Sequence, residues 1–332
     1  MNLHDRIQLL VKLGNYMQSN DENWQQAKAL ANSKNGWFIP VFIDQACTSI
    51  AENFLQENIL VTFANNYQIA AQNNNPKLVG VVMAGNIPLV GFHDFLCVFL
   101  SGHDCLIKPS SKDEVLIKHL ISVLYRWDVT IQNKVSFAQT LKGCDAYIAT
   151  GSNNSSRYFE YYFSKYPSII RQNKTSVALL TGSETSDELN ALSSDIQLYF
   201  GQGCRNVTHL MVPENYNFEQ LLLALNQYDF LLDFHKYKNN YDYQLTLLLL
   251  NQKQYLTNGN ILLCQDASIF SPISQVNYSF YSNFNHAVSE LTAKNEVQCI
   301  VGSSFIPFGE AQKPTISTFA DGVNTMQFLL NL

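Results

Sequence analysis

The sequence lacks the features that mark several large classes of protein. Its 332 residues contain no cluster of lysine or arginine and carry a formal net charge of -6, which argues against nucleic acid as a partner. The polar residues 2–6 argue against a secretory signal. The longest apolar runs, residues 88–100 and 245–250, are too short to span a bilayer. We therefore expect a cytoplasmic protein without a membrane span.

Disulfide, metal and nucleotide motifs are also lacking. The seven cysteines are scattered, odd in number and never spaced as Cys-x-x-Cys, which predicts reduced thiols. Histidine, cysteine, aspartate and glutamate form no group with zinc-like spacing, so no metal site is predicted. Neither Gly-x-Gly-x-x-Gly nor the Walker A motif occurs, and an NTPase is therefore not supported.

The sequence does contain a regular alternation of strands and helices. About the first seventy residues predict amphipathic helices. Apolar strand segments lie at residues 78–84, 104–108, 135–137 and 145–150, with helical segments between them. Pro88 is predicted as the first residue of the helix after the first of these strands. A second series of strands follows at residues 176–180, 207–212, 261–264, 275–280 and 297–301. This pattern predicts an α/β protein with two doubly wound domains, mostly parallel sheets and a helical amino terminus.

Three regions are expected on this basis. Residues 1–172 comprise the helical amino terminus and a Rossmann-like domain that binds a cofactor. Residues 173–304 form a catalytic domain that carries Cys204. Residues 305–332 either return to the cofactor domain or form the interface of a homo-oligomer.

Cys204 is the most informative residue of the chain. It lies in the segment Gly201–Asn206 (GQGCRN), between a predicted helix and a predicted strand. Small neighbours leave the sulfur accessible, and Arg205 favours the thiolate, as would free backbone N–H groups if the segment opens a helical turn. A thiolate can hold a carbonyl compound covalently. From these residues alone, however, a small buried hydrophobic cysteine is the favoured alternative.

Polar residues follow three strands of the first sheet. They are Gly85-Asn86, Lys108-Pro109-Ser110-Ser111 and Thr150-Gly151-Ser152. Ligands of open parallel sheets bind beyond the carboxyl ends of the strands, where helix amino termini can hold a pyrophosphate. Each motif alone fits a simpler interpretation, since a glycine-serine turn is commonly a helix cap and a lysine after a strand is commonly solvated.

The order of the motifs along the chain is more informative than any one of them alone. Ala84–Leu89, Ala149–Asn153, Gly201–Asn206 and Phe308–Gln312 follow one another as the motifs of the aldehyde dehydrogenase superfamily do. The chain most closely resembles the acyl-CoA reductases, the family that includes the fatty-acid reductase of bioluminescent bacteria. The resemblance extends over residues 78–332. It implies an aldehyde-dehydrogenase-like fold and an acyl thioester substrate, carried by coenzyme A or by an acyl-carrier protein.

The resemblance also implies roles for individual residues. Cys204 would be the nucleophile that accepts the acyl group, and the Asn86 amide and the Cys204 backbone N–H would form the oxyanion hole. The implied cofactor-binding residues are Lys108, Ser110, Ser111, Thr150, Gly151 and Ser152. Lys108 would bind the adenosine ribose or its phosphate, and the turn after Thr150 would contact the pyrophosphate.

Three departures from the superfamily pattern refine the expected reaction. Residues 169–174 contain no carboxylate where hydrolytic relatives have the glutamate that activates water, which favours a reductase. Ser111 replaces the glutamate of NAD-preferring relatives, which favours NADPH over NADH. Ser268 stands where relatives place a glutamate on the nicotinamide ribose.

The sequence thus predicts NADPH-dependent reduction of an acyl thioester to an aldehyde, with an acyl-cysteine intermediate. Two alternatives stay open. One is a hydrolytic NAD(P)-dependent aldehyde dehydrogenase. The other is a thiol-dependent acyltransferase or binding subunit that transfers no hydride.

Overall fold

The computed structural model describes residues 1–151 and 153–332. The chain forms two compact units. Residues 1–173 and 314–332 make the first unit, and residues 174–313 make the second, which continues past the predicted boundary at residue 304. The assignment of cofactor binding to the first unit and of catalysis to the second stays a prediction.

Four helices open the first unit. They are α1 Leu3–Met17, α2 Glu22–Lys34, α3 Pro40–Asn53 and α4 Glu57–Asn66. Asn2 and Asp5 form a capping box on α1, Asp21 caps α2, and Pro40 is the first residue of α3. The apolar faces of these helices enter the core of the first unit. The predicted helical amino terminus is confirmed.

A five-stranded parallel sheet follows, in the order β3-β2-β1-β4-β5. Its strands are β1 Leu78–Val82, β2 Asp104–Lys108, β3 Val135–Phe137, β4 Ala146–Thr150 and β5 Ser168–Arg171. The helices between them are α5 Phe92–Ser101, α6 Glu114–Trp127 and α7 Asn153–Phe163. The strand order reverses between β1 and β4, and the carboxyl ends of strands at such a reversal are where open sheets bind ligands.

Two details of this sheet differ from the sequence-based prediction. Strand β5 was not expected, because four residues give too short a pattern to recognise. The helix after β1 begins at Phe92, so the prediction that Pro88 is its first residue is wrong. Leu89 has a φ of +55°, a left-handed conformation that cannot continue a helix, and residues 88–91 form turns instead.

The second unit contains a six-stranded sheet in the order β11-β6-β7-β10-β9-β8, and only the β8–β9 pair is antiparallel among the described strands. Its strands are β6 Thr175–Leu179, β7 Val207–Pro213, β8 Tyr255–Thr257, β9 Leu262–Gln265, β10 Gln275–Tyr281 and β11 Val297–Val301. Its helices are α8 Ser186–Gln197, α9 Glu219–Ala224, α10 His235–Leu250 and α11 Phe284–Ala293. The predicted α/β class with mostly parallel sheets is confirmed.

The carboxyl-terminal residues 314–332 pack in the first unit and include helix α12 Thr325–Leu330. Two histidines, the half-buried His93 and the buried His103, hold them there. His93 Nε2 donates to the Ile316 carbonyl at 2.7 Å, and His103 Nε2 donates to the Leu329 carbonyl at 2.9 Å. Burial lowers the pKa of both histidines. Both imidazoles are therefore part of the fold of this unit.

Each unit has its own apolar core. The first core is rich in aromatic side chains such as Phe63, Phe92 and Phe95, and the second is built mainly from leucine, isoleucine and valine. Within residues 1–151 and 153–332, every helix is too short or too polar to span a bilayer. The same residues contain no group of three or more histidine, cysteine or acidic side chains that could hold a metal ion.

Candidate active site

The turn after β1 positions Asn86. Asn86 is half-buried, and its neighbour Gly85 packs directly against the segment that follows β2. A Cβ atom on Gly85 would lie 2.5 Å from Ser110 Oγ, so only glycine fits there. Met83 N–H also donates to the Lys108 carbonyl at 3.0 Å. The structure therefore brings the predicted residues at the carboxyl ends of β1 and β2 together.

Asp113 fixes the shape of this turn. Its Oδ2 accepts a hydrogen bond from the Leu89 N–H at 2.6 Å, and its own N–H donates to the Ser110 carbonyl at 3.0 Å. The Asp113 side chain is buried, and burial raises its pKa well above the ordinary value. Asp113 thus ties the turn that carries Asn86 to the turn that carries Ser110.

The segment after β2 leaves several polar side chains accessible. Lys108 and Ser110 are half-buried, while Ser111 and Lys112 are exposed. Residues 108–112 contain two lysines and no carboxylate, and the next residue, Asp113, is turned inward. The local charge at the carboxyl end of β2 is therefore positive.

The turn after β4 carries Thr150 and Gly151, both half-buried; Ser152 lies outside the described residues. A Cβ atom on Gly151 would lie 2.8 Å from the Phe159 ring and 2.9 Å from Ser155 Cβ. Glycine is thus required here by the packing of the turn on helix α7. The structure places Thr150 and Gly151 at the carboxyl end of β4, beside β1 in the sheet.

Arg171 forms a buried ion pair beside this turn. Its Nη1 lies 2.6 Å from Asp94 Oδ2 and 3.4 Å from Thr150 Oγ1, and its Nη2 donates to Thr325 Oγ1 at 2.8 Å. The exposed fraction is 3% for the Arg171 side chain and 8% for the Asp94 side chain. The pair joins strand β5 to helices α5 and α12, so the carboxyl-terminal helix supports the edge of the sheet where Thr150 lies.

In the second unit, Cys204 lies in the turn between α8 and β7. The turn follows a short 3-10 helix, Leu198–Gly201, and leads directly into the strand at Val207. No helix begins at Cys204, so a helix amino terminus does not act on its thiol. The residue is intermediate in exposure, whereas Cys47, Cys97 and Cys264 are buried. A substrate must be able to reach a nucleophile, and the partial exposure of Cys204 meets this requirement. A residue that only fills the core needs no such exposure.

The backbone before Cys204 is strained. Tyr199 and Phe200 have φ values of +54° and +58°, and Gly201 follows at +71°. Two adjacent bulky residues in the left-handed region cost on the order of 1–3 kcal/mol each. The structure retains them because both side chains are buried, with Phe200 against Phe234 and Tyr237. This backbone reversal ends α8 and directs the chain toward Cys204.

Asn206 holds the turn closed. Its fully buried side chain accepts from the Gly203 N–H at 2.7 Å. Its Nδ2 donates to three carbonyl groups at the end of α8, those of Asp195, Ile196 and Leu198, at 2.9–3.2 Å. The last carbonyls of a helix have no partners inside the helix. The Asn206 amide therefore provides hydrogen-bond partners for the carbonyl groups at the end of α8 and for the N–H of Gly203, the residue before Cys204.

Replacing Asn206 with alanine should destabilise the second unit and disorder the Cys204 turn. The change leaves three carbonyls and one N–H without their partner, and we expect a loss of roughly 3 kcal/mol in the free energy of unfolding. Urea unfolding measures this loss, and alkylation of Cys204 by iodoacetamide reports on the turn. The matched control is Asn251→Ala, because the exposed Asn251 makes a single side-chain bond to a helix carbonyl. Equal stability of the two variants would contradict the role given to Asn206.

Asp195 anchors the motif Phe308–Gln312 to α8. Its carboxylate accepts from the Gly309 N–H at 2.7 Å and from the Ala311 N–H at 3.0 Å. Burial raises the pKa of Asp195 to about 6, although both N–H groups oppose the rise. The Arg205 Nε–H donates to the Ala311 carbonyl. The motif near residue 310 and the motif around Cys204 are therefore parts of one hydrogen-bonded structure.

Ser176 of β6 stabilises the Cys204 turn through a hydrogen bond. Its hydroxyl donates to the Cys204 carbonyl at 3.1 Å and lies 3.0 Å from Cys299 Sγ. Burial raises the pKa of the Cys299 thiol, while the charge of Arg205 lowers it. Cys299 is thus a second thiol close to the Cys204 turn, in a protonated state at neutral pH.

The segment that contains Ser268 is held by two buried polar side chains. His209 Nδ1 donates to the Ser268 carbonyl at 3.0 Å, and Asn277 Nδ2 donates to the carbonyls of Ser268 and Phe270 at 2.9 and 3.0 Å. The Ser268 hydroxyl itself donates to the Phe270 carbonyl at 2.9 Å. The position of the Ser268 hydroxyl is therefore fixed by a hydrogen bond within its own loop.

The sequence matches the family model described as acyl-CoA reductase (LuxC) over residues 44–227, more than half of the chain. The chain belongs to the acyl-CoA reductase (LuxC) family. It is accordingly an oxidoreductase of the acyl-CoA reductase type. The match includes Asn86, Lys108 and Cys204. No curated protein matches the sequence significantly.

Solved structures similar to this member of the LuxC family include several aldehyde dehydrogenases. Aldehyde dehydrogenase 21 from Physcomitrella patens, in complex with the product succinate, has a TM-score of 0.66 and 14% identity, covering 91% of this chain and 74% of the other. An indole-3-acetaldehyde dehydrogenase in complex with NAD+ has a TM-score of 0.66 and 11% identity, covering 91% and 72%. The Mycobacterium tuberculosis aldehyde dehydrogenase in complex with NAD+ has a TM-score of 0.62 and 12% identity, covering 87% and 70%. The predicted aldehyde-dehydrogenase-like fold is confirmed.

The sequence-predicted residues of this LuxC-family chain fall into two groups. Apart from Ser152, the residues assigned to the cofactor lie with Asn86 in the first unit, at the carboxyl ends of β1, β2 and β4, and Cys204 lies in the second unit. Their roles stay predictions. The residues that sequence reasoning missed are the buried ones that hold the turns in place: Asp94, Asp113, Arg171, Ser176, Asp195 and Asn206. One signal was available for Asp195, a charged residue on the apolar face of a helix beside Leu192 and Ile196.

Proposed function

We propose that the protein reduces an acyl thioester of coenzyme A or of an acyl-carrier protein to an aldehyde, with NADPH as the electron donor. The reaction consumes acyl thioester, NADPH and a proton, and releases aldehyde, free thiol and NADP+. The observation that carries the proposal is the Cys204 turn. In a chain of the acyl-CoA reductase family, it presents a partly exposed cysteine on a backbone fixed by Asn206 and Ser176.

The first step is acyl transfer to Cys204. The thiolate attacks the thioester carbonyl, and the thiol of the carrier leaves when the tetrahedral adduct collapses. The Asn86 side-chain amide and the Cys204 backbone N–H stabilise the oxyanion that forms in this step. A hydrogen-bond donor lowers the activation barrier most when it binds negative charge that develops only in the transition state. Asp113 supports this role indirectly, because it fixes the turn that carries Asn86.

The acyl-cysteine must then avoid hydrolysis. Hydrolytic aldehyde dehydrogenases use a carboxylate to activate water, and residues 169–174 of this chain offer none. Residues 168–171 form strand β5, where the carboxylate of Asp94 is paired with Arg171, whose guanidinium stays protonated and cannot act as a base. The acyl-enzyme therefore lasts long enough to be reduced.

The carboxyl end of β2 fits the adenosine half of a phosphorylated dinucleotide. Lys108 and Lys112 supply positive charge, and the exposed Ser111 hydroxyl can donate to a 2′-phosphate without repelling it. Ser110, Thr150, Gly151 and Ser152 complete the proposed cofactor-binding set. The bound cofactor supplies the hydride that reduces the acyl-cysteine carbonyl. NADH is the second-choice donor, since nothing in this segment replaces the glutamate that would bind a free 2′-hydroxyl.

Changing Ser111 to glutamate should shift the cofactor preference toward NADH. A carboxylate at this position would repel the 2′-phosphate of NADPH and accept a hydrogen bond from the 2′-hydroxyl of NADH. One charge pair near a protein surface is worth enough to raise the KM for NADPH by roughly tenfold. The measurement is kcat/KM for each cofactor, and Ser111→Gln is the neutral control of similar size. An unchanged NADPH-to-NADH ratio in Ser111→Glu would place the 2′-phosphate elsewhere.

The proposed function is tested by the stoichiometry of the steady-state reaction. Incubation with acyl-CoA and NADPH should release one aldehyde and one free thiol for each NADPH oxidised. Steady production of acid from an aldehyde and NAD(P)+ without added thiol would instead identify a hydrolytic aldehyde dehydrogenase. Acyl transfer to Cys204 without binding of NADPH or NADH in a fluorescence titration would identify an acyltransferase or binding subunit.

A further inference from the structure

Two chains of hydrogen bonds lead from Asp195 to the residues on either side of Cys204. The first chain begins at the Asp195 carbonyl, which accepts from Asn206 Nδ2 at 3.0 Å. Asn206 in turn accepts from the N–H of Gly203, the residue before Cys204, at 2.7 Å. Backbone and amide groups do not titrate near neutral pH, so this chain is independent of pH.

The second chain begins at the Asp195 carboxylate. Its two oxygens accept from the Gly309 N–H at 2.7 Å and from the Ala311 N–H at 3.0 Å. The Ala311 carbonyl accepts from the Nε–H of Arg205, the residue after Cys204. An ionised carboxylate accepts at both oxygens, whereas protonation turns one oxygen into a donor. The second chain therefore depends on the charge of Asp195.

The carboxylate is enclosed by the segment that it binds. Asp195 and Ala311 are both 0% exposed. Gly309 has a φ of +82°, and a Cβ atom there would lie 3.0 Å from Ala191 Cβ, so the segment is in close contact with α8. Because Ala311 is buried, its N–H would stay unsatisfied if it lost this acceptor, which is unfavourable. A change of charge on Asp195 therefore acts on the whole segment.

Burial also brings the titration of Asp195 close to neutral pH. It raises the pKa of Asp195 to about 6, although the two N–H groups oppose the rise. Glu310 and Lys313 act on this pKa in opposite directions and pair with each other at 2.8 Å. Cys299 and Tyr228 also face Asp195, and burial raises the pKa of both, so both are neutral where Asp195 titrates.

Other charged or titratable groups on the elements that pack against α8 have different surroundings. Asp229 accepts from Asn260 Nδ2 at 2.5 Å, and His209 of β7 binds the Ser268 carbonyl. Glu219 of α9 is exposed to solvent. Within the described part of the chain, these groups have no hydrogen bond to the Asp195 carboxylate.

We propose, on the basis that Cys204 is the nucleophile of the proposed function, that Asp195 is a positioning residue whose ionised form holds the Cys204 turn in its reactive arrangement. Protonation of Asp195 releases one of the two N–H groups of the segment Gly309–Ala311. The segment then holds Arg205 less firmly. The reactivity of Cys204 therefore depends on two ionisations, that of its own thiol and that of Asp195.

The rate at which iodoacetamide alkylates Cys204 tests this proposal in the intact chain, with the site of alkylation located by peptide mapping. Asp195→Asn has nearly the size of the protonated side chain and carries no charge. The ratio of the wild-type rate to the Asp195→Asn rate should be close to one at about pH 5 and should differ from one by roughly fivefold at about pH 8. The ratio cancels the titration of the thiol, so its midpoint near pH 6 reports on Asp195. A ratio that is the same at both pH values would overturn the proposal.

Asp187→Asn is the matched control, because Asp187 is an exposed residue of the same helix α8. Its alkylation rate should equal that of the wild type at every pH. If Asp195→Asn does not fold, the wild-type profile is sufficient, since it should contain a step near pH 6 in addition to the titration of the thiol. A wild-type profile that follows a single ionisation would contradict the proposal.

Acyl transfer distinguishes a failure of this proposal from a failure of the proposed function. With acyl-CoA in place of iodoacetamide, Asp195→Asn should acylate Cys204 more slowly than the wild type at about pH 8 and equally fast at about pH 5. Acylation of Cys204 with a ratio independent of pH would refute only the role of Asp195. A pH-dependent alkylation ratio without any acylation of Cys204 would support that role and refute the proposed function.

Discussion

Replacing Cys204 with alanine should abolish acyl-CoA-dependent oxidation of NADPH. The proposed reaction has no route to the aldehyde without the acyl-cysteine, and loss of a covalent nucleophile lowers kcat by on the order of 10³-fold or more. The variant should fold normally, since Cys204 is partly exposed and lies in a turn held by Asn206 and Ser176. NADPH binding, followed by fluorescence, should be unchanged.

Cys299→Ala is the matched control for this experiment. Cys299 is the other cysteine of intermediate exposure, and its sulfur lies 3.0 Å from the same Ser176 hydroxyl that binds the Cys204 carbonyl. Burial of part of the side chain raises the pKa of the Cys299 thiol, which is therefore a poor nucleophile at neutral pH. The control should keep most of its activity. Full activity of Cys204→Ala together with an inactive Cys299→Ala would transfer the nucleophilic role to Cys299.

The second large effect is expected at Asn86. Asn86→Ala removes the proposed side-chain donor of the oxyanion hole, and removal of one such donor lowers kcat by about 10²–10³-fold. The binding of NADPH and the KM for acyl-CoA should change little, because the donor meets charge that develops only in the transition state. The decisive measurement is the single-turnover rate of acyl transfer to Cys204.

Asn86→Asp separates hydrogen-bond donation from side-chain shape. Aspartate has nearly the size of asparagine, but its carboxylate accepts hydrogen bonds and repels an oxyanion. Acyl transfer should therefore be at least as slow in Asn86→Asp as in Asn86→Ala. Near-wild-type rates in both variants would mean that Asn86 shapes the turn after β1 without taking part in the reaction.

Much of the fold could be predicted from the sequence, since patterns of apolar residues determine which segments become strands. The run at residues 78–84 gave β1 because a central parallel strand is buried on both faces. The start of α5 was misplaced because proline at a helix start is only a local preference. The observed start depends on Asp113, which is distant in sequence and binds the Leu89 N–H. Strand β8 was missed because its three residues are held by pairing with β9.

From the sequence, residues of the candidate site could be predicted only where they lie in a recognisable motif. Cys204, Asn86 and Lys108 stand in recognisable segments, whereas the residues that hold those segments do not. Asn206 acts through four hydrogen bonds to groups that only the folded turn brings together. Asp195 reaches backbone N–H groups more than a hundred positions away. Such contacts depend on tertiary structure and leave no periodic pattern in the sequence.

The central claim is that an acyl group on Cys204 awaits reduction rather than hydrolysis. Intact-mass measurement of the wild-type protein after mixing with acyl-CoA, followed by peptide mapping, tests this claim most directly. The account predicts a mass gain of one acyl group, located on Cys204, that persists in buffer and disappears with release of aldehyde when NADPH is added. An adduct on another residue, or one that decays to free acid at the same rate with or without NADPH, would contradict it.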